Sequence, residues 1–407
     1  MLIIAIAPFS ARTSSAARAP RHSAHYAAEG GQCSARQCRM AGTADTPRIS
    51  LQDWHKSADR LHAATTTLFS NSRAAVTYPR KTLICLQDTP YYHVIARCVR
   101  RAWLWGFDEY AGRDYSHRKA WVLERMADQS SVFAIDICAF AILSNHYHLV
   151  LHVDSKRARA WSRKEVVARW TRLFSRPTLI QRWEENVCGE TEREAAEAII
   201  ERWRARLMDV SWYMRCMNEY LARRANAEDD CTGRFWEGRF KSQALLDEAG
   251  LLTAMAYVDL NPVRAGIAST PEDSEFTSIY ERIRAARTTP NPEHGSSEEI
   301  IPPLLQFKDG RSTTRAIPFS FREYLALVDW SGRSIRDDKM GYIDPKLPPI
   351  AARLRIDPIA WQAAMQPRGN VFGRALGRLD HLRLHAKALG QSRIKGLNAA
   401  RRLYRPA

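Results

Sequence analysis

Along HYHLVLHV (146–153) polar and apolar residues alternate with a period of two, the pattern of a strand. It follows SVFAIDICAFAIL (131–143), a largely apolar strand candidate, across a Ser144-Asn145 turn, so the pair reads as a hairpin. YYHVIARCV (91–99) is a further strand, rich in β-branched and aromatic residues, and 117–129 reads as helical. A long helical stretch over 164–227 is interrupted near Pro177. GRFWEGRFKSQALL (233–246) returns to a loop and a short strand. A helix over 247–260 then stops at Asn261-Pro262, because proline disfavours helix in the residue before it.

These elements place a compact unit at 80–286, a Pro-, Ser- and Glu-rich linker at 287–316, and a mainly helical unit at 317–407. Residues 1–79, rich in Ala, Ser, Arg and His with no sustained period, are expected to be disordered. The Arg-rich, acid-poor opening resembles a transit peptide in composition, and Met40 is preferred to Met1 as the true start. The apolar run MLIIAIAPF is about half of what a bilayer-spanning helix needs and has no positive segment ahead of it. No membrane partner is expected.

Charge changes the picture more than overall composition does. Lys and Arg number 61 against 44 Asp and Glu, a net +17 in 407 residues, which favours a polyanionic partner. Between Arg353 and Arg405 there are 12 Lys or Arg and two acids, Asp357 and Asp380. The eight cysteines show no zinc-finger spacing and are scattered through a chain too long to need disulfides, as expected of a reducing cytoplasm.

The sharpest chemical feature is His146-Tyr147-His148. Residues i and i+2 of a strand share a face, so the two imidazoles converge and Tyr147 points to the other side. His152 falls on the histidine face and is read as an outlying partner rather than a ligand. Such a pair suits Mg²⁺ or Mn²⁺ holding a phosphate oxygen, given a third ligand and open positions. Nothing in the chain resembles HExxH, a Walker loop or paired catalytic carboxylates. In SWYMRCMNEYLARRAN (211–226), Tyr213 and Tyr220 lie two helical turns apart among Arg215, Arg223 and Arg224, and either is a candidate nucleophile. Basic and aromatic residues interleave in KRARAWSRKEVVARWTRLFSR (156–176), and in 233–241, where Arg234, Trp236, Arg239 and Lys241 are candidate contacts to single-stranded nucleic acid.

Taken together, YYHVIARCVRRAWLWG (91–106), AILSNHYHLVLHV (141–153), GRFWEGRFKSQALL (233–246) and AYVDLNPVRAG (256–266) resemble the HUH single-tyrosine transposases, in the branch of REP-associated tyrosine transposases. EYLALVDWSGRSIRDDKMG (323–341) resembles the extension of its longer members. The resemblance implies an α+β fold, a ferredoxin-like antiparallel sheet with helices, followed by the basic helical C-terminal region. It maps the metal-binding histidines onto His146 and His148. It also implies cleavage and rejoining of single-stranded, hairpin-forming DNA through a 5′-phosphotyrosine, and allows a homodimer or a monomer. Arg97, Arg100, Arg101 and Arg264, within the matching segments, complete the candidate DNA contacts.

One position departs from the family pattern. The register of the family's tyrosine falls on Leu221, and Tyr220 lies one residue away, a rotation of about 100° on a helix. Tyr220 is the candidate nucleophile with Tyr213 in reserve, and Asn226 or Glu219 is the candidate third ligand. The alternative function is a domesticated, non-cleaving protein that binds repetitive palindromic DNA.

Overall fold

The computed structural model describes residues 83–99, 104–108, 112–287, 301–308, 315–335, 348–366 and 373–404. All of them belong to a compact unit that spans Ile49–Ala407. The expectations for residues 1–79, and those for Arg100 and Arg101, lie outside the described residues.

Strand β1 (Tyr91–Arg97) is followed by the short β2 (Phe107–Asp108) and β3 (Arg113–Asp114), then helix α1 (Arg118–Val132). The hairpin β4 (Ile135–Leu143) and β5 (His146–Val153) comes next, turning at Ser144-Asn145 as its sequence predicts. After the short α2 (Ser155–Ala160), the stretch read as one interrupted helix is four: α3 (Arg163–Trp170), α4 (Thr178–Glu184), α5 (Glu190–Arg206) and α6 (Val210–Glu228). Polar caps set several of these breaks, among them Asp154, Ser162 and Asp209, whose side chains accept from backbone N–H groups of the following turn. Then come β6 (Lys241–Leu245), α7 (Glu248–Asp259), the single-turn α8 (Asn261–Arg264) and α9 (Ser278–Arg287). The C-terminal part supplies α10 (Phe321–Ile335), α11 (Pro349–Arg353), α12 (Pro358–Met365), β7 (Ala375–Leu376), α13 (Leu379–Ala388) and α14 (Leu397–Leu403).

The architecture is α+β. Five strands form a sheet ordered β4-β5-β1-β6-β7 with helices on both faces. The expected antiparallel sheet is in fact mixed, because β7 runs parallel to β6 with Ala244 opposite Ala375. A parallel neighbour needs a long connection, and the stretch between β6 and β7 supplies one. Strand β4 is buried on both faces although it is an edge. Leu304 of the supposed linker bridges to Ile137, and Thr277, just before α9, to Ala141, so these two segments cover that edge.

Composition sets 317–407 apart as a domain of its own, yet its described parts share the core. Tyr324 donates from its hydroxyl to Asp259 Oδ2 at 2.5 Å. Trp361, fully buried, donates from Nε1 to Ser331 Oγ at 2.8 Å, and the Tyr404 and Thr253 hydroxyls lie 2.8 Å apart. Helix α7 is therefore buried nearly all round, between the sheet and this C-terminal cover. At Gly250 a Cβ would sit 2.5 Å from the carbonyl oxygen of Leu376, so only glycine allows this approach of α7 to β7.

The basic and aromatic stretch 156–176 has its rings in the core rather than on a surface for bases. Trp170 stacks on Trp203 at 5.1 Å and on Phe174 at 4.3 Å, and Arg169 lies over Trp161. His152 pairs with Asp136 at 3.1 Å, and Asp136 also accepts from Arg157 at 2.9 Å and from Arg315 Nε at 3.0 Å. Burial alone would raise this carboxyl, but hydrogen bonds from His152 and Arg315 and the charges of Arg157 and Arg315 hold it well below the usual carboxylate range. A depressed folded pKa contributes stability that is full above the unfolded value and is lost as pH falls from there through the depressed folded value. Asp136→Asn should therefore lower stability by about 2 kcal/mol at pH 7, and the gap from wild type should narrow progressively as pH falls below about 4 in urea titrations.

Candidate active site

The register of the sheet sorts side chains into two faces. His148 lies opposite Ile95, His146 opposite Arg97, and His93 opposite Val150, so His93, Arg97, His146 and His148 share one face. Lys241 and Gln243 of β6 join them, paired with Ile95 and His93. Tyr147 projects to the other face, where its hydroxyl donates to Asn218 Oδ1 of α6 at 2.5 Å. Helices α1 and α6 pack together on that side, with Gln129 Nε2 donating to the Tyr213 carbonyl at 2.8 Å. Helices α7 and α8 cover the histidine face.

This layering decides which predicted residues meet. Tyr213 is fully buried, 5.4 Å from Phe133, on the Tyr147 side. Tyr220 accepts from Arg224 Nη1 at 2.6 Å and faces Arg125 of α1. Neither tyrosine reaches the histidine face, and α6 carries neither proposed third ligand to it. Asn226 donates to the Gly233 carbonyl at 3.1 Å, and Glu219 pairs with Arg223 at 2.5 Å and Arg215 at 3.5 Å. Trp236 is wedged between β5 and α6, 5.7 Å from Tyr147 and donating from Nε1 to the Asn218 carbonyl. Arg264 directs its guanidinium to the carbonyls of Met365 (2.5 Å) and Gln366 (2.9 Å), tying down the C-terminal cover. Arg234, Arg239 and Lys241 are exposed, and Arg97 is half-buried beside His146.

What α7 and α8 bring to the histidines is a different tyrosine and a different asparagine. Tyr257 lies 6.0 Å from the His148 ring and 6.2 Å from that of His93. Asn261 places Nδ2 3.3 Å from His148 Nε2. Leu260, between the two helices, keeps near-helical angles (φ −84°, ψ 1°), so Tyr257 and Asn261 stay one turn apart on one side. Arg264 sits 4.1 Å over the Tyr257 ring, a cation–π contact. Both segments lay within motifs that carry the family resemblance, but Tyr257 stands in an apolar run and reads there as packing.

His148 and His146 are each 1% exposed, Tyr257 2% and Asn261 3%. Burial, then the neighbouring His146, His93, Arg264 and Arg97, pushes the His148 imidazole well below its ordinary value. Burial lowers His93 to about 4, against a smaller opposing hydrogen bond from Gln243. His93 Nε2 lies 2.9 Å from His148 Nδ1, and the rings stack at 5.2 Å. His146 lies 5.0 Å from His148, ring to ring, with Nδ1 2.6 Å from Asn145 Oδ1.

Among the described residues no three His, Cys, Asp or Glu side chains are placed to hold a metal ion. A divalent ion here would therefore rest on His146, His148 and the Asn261 carboxamide. The residues fit it. The 3.3 Å between His148 Nε2 and the Asn261 amide is close to the roughly 3 Å separating adjacent ligands at about 2.1 Å from one ion. Turned end for end, the amide offers its oxygen, and two imidazoles with an amide oxygen suit Mg²⁺ or Mn²⁺.

No protein-family model and no curated protein matches the chain. Among solved structures, one described as "Structure of the REP associates tyrosine transposase bound to a REP hairpin" aligns with a TM-score of 0.30 and 11% identity, over 54% of this chain and 88% of that one. Among the described residues, no helix is long and apolar enough to cross a membrane.

Proposed function

We propose that this chain is a metal-dependent DNA strand transferase that cleaves and rejoins single-stranded, hairpin-forming DNA, with Tyr257 as nucleophile. The observation that carries the reading is the meeting of Tyr257 and Asn261 with His146 and His148 on one face of the sheet. The run β1-α1-β4-β5-α6-β6 alternates as a ferredoxin-like unit does, which supports that core. The net charge of +17 supports a polyanionic substrate.

In this reading Tyr257 Oη attacks the scissile phosphorus. A Tyr–O–P bond forms, the P–O3′ bond breaks, and the phenolic proton ends on the departing O3′ as a free 3′-OH. Attack by a 3′-OH on the phosphotyrosine reverses the step and joins strands, so the phosphodiester energy is kept and no ATP is needed. A bound Mg²⁺ or Mn²⁺ supplies polarisation of the phosphate and neutralises its charge. His146, His148 and Asn261 would hold the ion, while Arg97 and exposed Lys241, on the same face, attract the flanking backbone.

The second reading, a DNA-binding relative that does not cleave, is favoured by one observation: the histidines, Tyr257 and Asn261 expose only 1–3% of their surface beneath the C-terminal cover. Incubation of the full chain with a single-stranded hairpin oligonucleotide and Mn²⁺ separates the two. A covalent adduct, with the modified peptide mapped to Tyr257 by mass spectrometry, is expected of the transferase. Tight binding with no adduct would leave the second reading.

A further inference from the structure

The histidine face holds two residues that the proposed chemistry leaves unused, Gln243 and His93, and their hydrogen bonds run in one direction. Gln243 Nε2 lies 2.7 Å from the Gly373 carbonyl oxygen. A carbonyl only accepts, so the nitrogen end of the amide is turned to Gly373, and Oε1 faces His93 Nδ1 at 3.3 Å. An amide oxygen also only accepts, which puts the His93 proton on Nδ1. Both imidazoles are buried with no carboxylate among their hydrogen-bond partners in the described residues, so each is neutral and carries one proton. His93 Nε2 is then an acceptor, and its neighbour at 2.9 Å, His148 Nδ1, must be the donor. The second nitrogen of His148 is left with its lone pair, directed at the Asn261 amide.

We propose that Gln243 and His93 are positioning residues, which through this chain of hydrogen bonds hold His148 as the Nδ1–H tautomer and present Nε2 to a divalent ion. The metal half of this inference rests on the histidine pair being a metal site; the tautomer half stands on the hydrogen bonds alone. The default alternative, a proton on Nε2, would block the ligand atom. The same logic repeats at the other histidine, where Asn145 Oδ1 faces His146 Nδ1 at 2.6 Å and leaves Nε2 as the acceptor. Outer partners of this kind commonly set ligand orientation and metal affinity. Here the anchor is Gly373, a residue of the C-terminal cover, so that region takes part in the site as well as burying it.

The test uses the full chain labelled with ¹⁵N-histidine, without metal. The His148 signals, assigned by their loss in His148→Gln, should show a protonated Nδ1 and an unprotonated Nε2. A protonated Nε2 in the wild-type protein would overturn the proposal, whatever the variants do. Mn²⁺ titration by electron paramagnetic resonance provides the second readout. His93→Phe and Gln243→Met should each weaken Mn²⁺ binding by about 10–100-fold. Unchanged affinity in both His93→Phe and Gln243→Met, at wild-type melting temperature, would also overturn it. A wild-type protein that shows the expected tautomer and binds no Mn²⁺ would instead sink the metal reading and leave the hydrogen-bond order standing.

Discussion

Tyr257→Phe should eliminate the covalent protein–DNA adduct, while Tyr220→Phe and Tyr213→Phe leave it intact. The substitution removes one oxygen and keeps a ring that packs against His93, His148 and the Arg264 guanidinium, so the fold and the site's shape are retained. Covalent catalysis has no substitute for its nucleophile: without Oη the P–O3′ bond has no attacking group placed in line, and the loss should reach the limit of detection. The two controls sit on the far side of the sheet. Tyr220 bonds to Arg224, and the Tyr213 hydroxyl is buried with no hydrogen-bond partner among the described residues, so removing it should cost little. Adduct formation on gels, with a 5′-labelled and a 3′-labelled hairpin, makes the measurement. An adduct that persists in Tyr257→Phe and disappears in Tyr220→Phe would return the chemistry to α6 and refute the assignment.

His146→Ala and His148→Ala should each abolish cleavage while hairpin affinity falls less than about tenfold, because phosphate contacts by Lys and Arg supply most of the binding free energy. The two variants differ in one respect. Loss of His146 removes an imidazole whose Nδ1 meets Asn145 of the adjacent turn. Loss of His148 also strips His93 and Asn261 of the partner they share, leaving buried polar atoms behind, and should lower stability as well. Mn²⁺ titration, filter binding and thermal melting read the three quantities separately. Cleavage at wild-type rate in the double variant would end the reading of this face as the catalytic one.

Much of this site was legible in the chain. The histidine pair, its strand and the tight turn before it follow from a period-two pattern, since neighbouring strand residues must face opposite ways. The α7 boundary was also legible, because Pro262 ends one helix and begins the next turn. The proposed nucleophile was not. Tyr213 and Tyr220, seven residues apart, share a helix face by geometry, but periodicity says nothing about which side of a sheet the helix will take. Tyr257 sits in TAMAYVD, where every residue is buried, and in such a run a catalytic ring has the same local signature as a packing one. The proposed third ligand was hidden for the same reason. Asn261 reads as the end of a helix, and only the near-helical Leu260 keeps it one turn from Tyr257.

What the amino-acid sequence determined by itself is what local periodicity and composition can encode: the β4–β5 hairpin, the two imidazoles on one side of it, a strongly basic chain, and a run of strands and helices of α+β type. The tertiary structure alone decided which helix lies over those imidazoles. It also decided that β7 extends the sheet in parallel and that Gln243 and His93 stand behind His148. Each of these depends on contacts between residues far apart in the chain, 113 positions for His148 and Asn261 and 130 for Gln243 and Gly373. The packing of buried faces, not any local preference, selects such contacts.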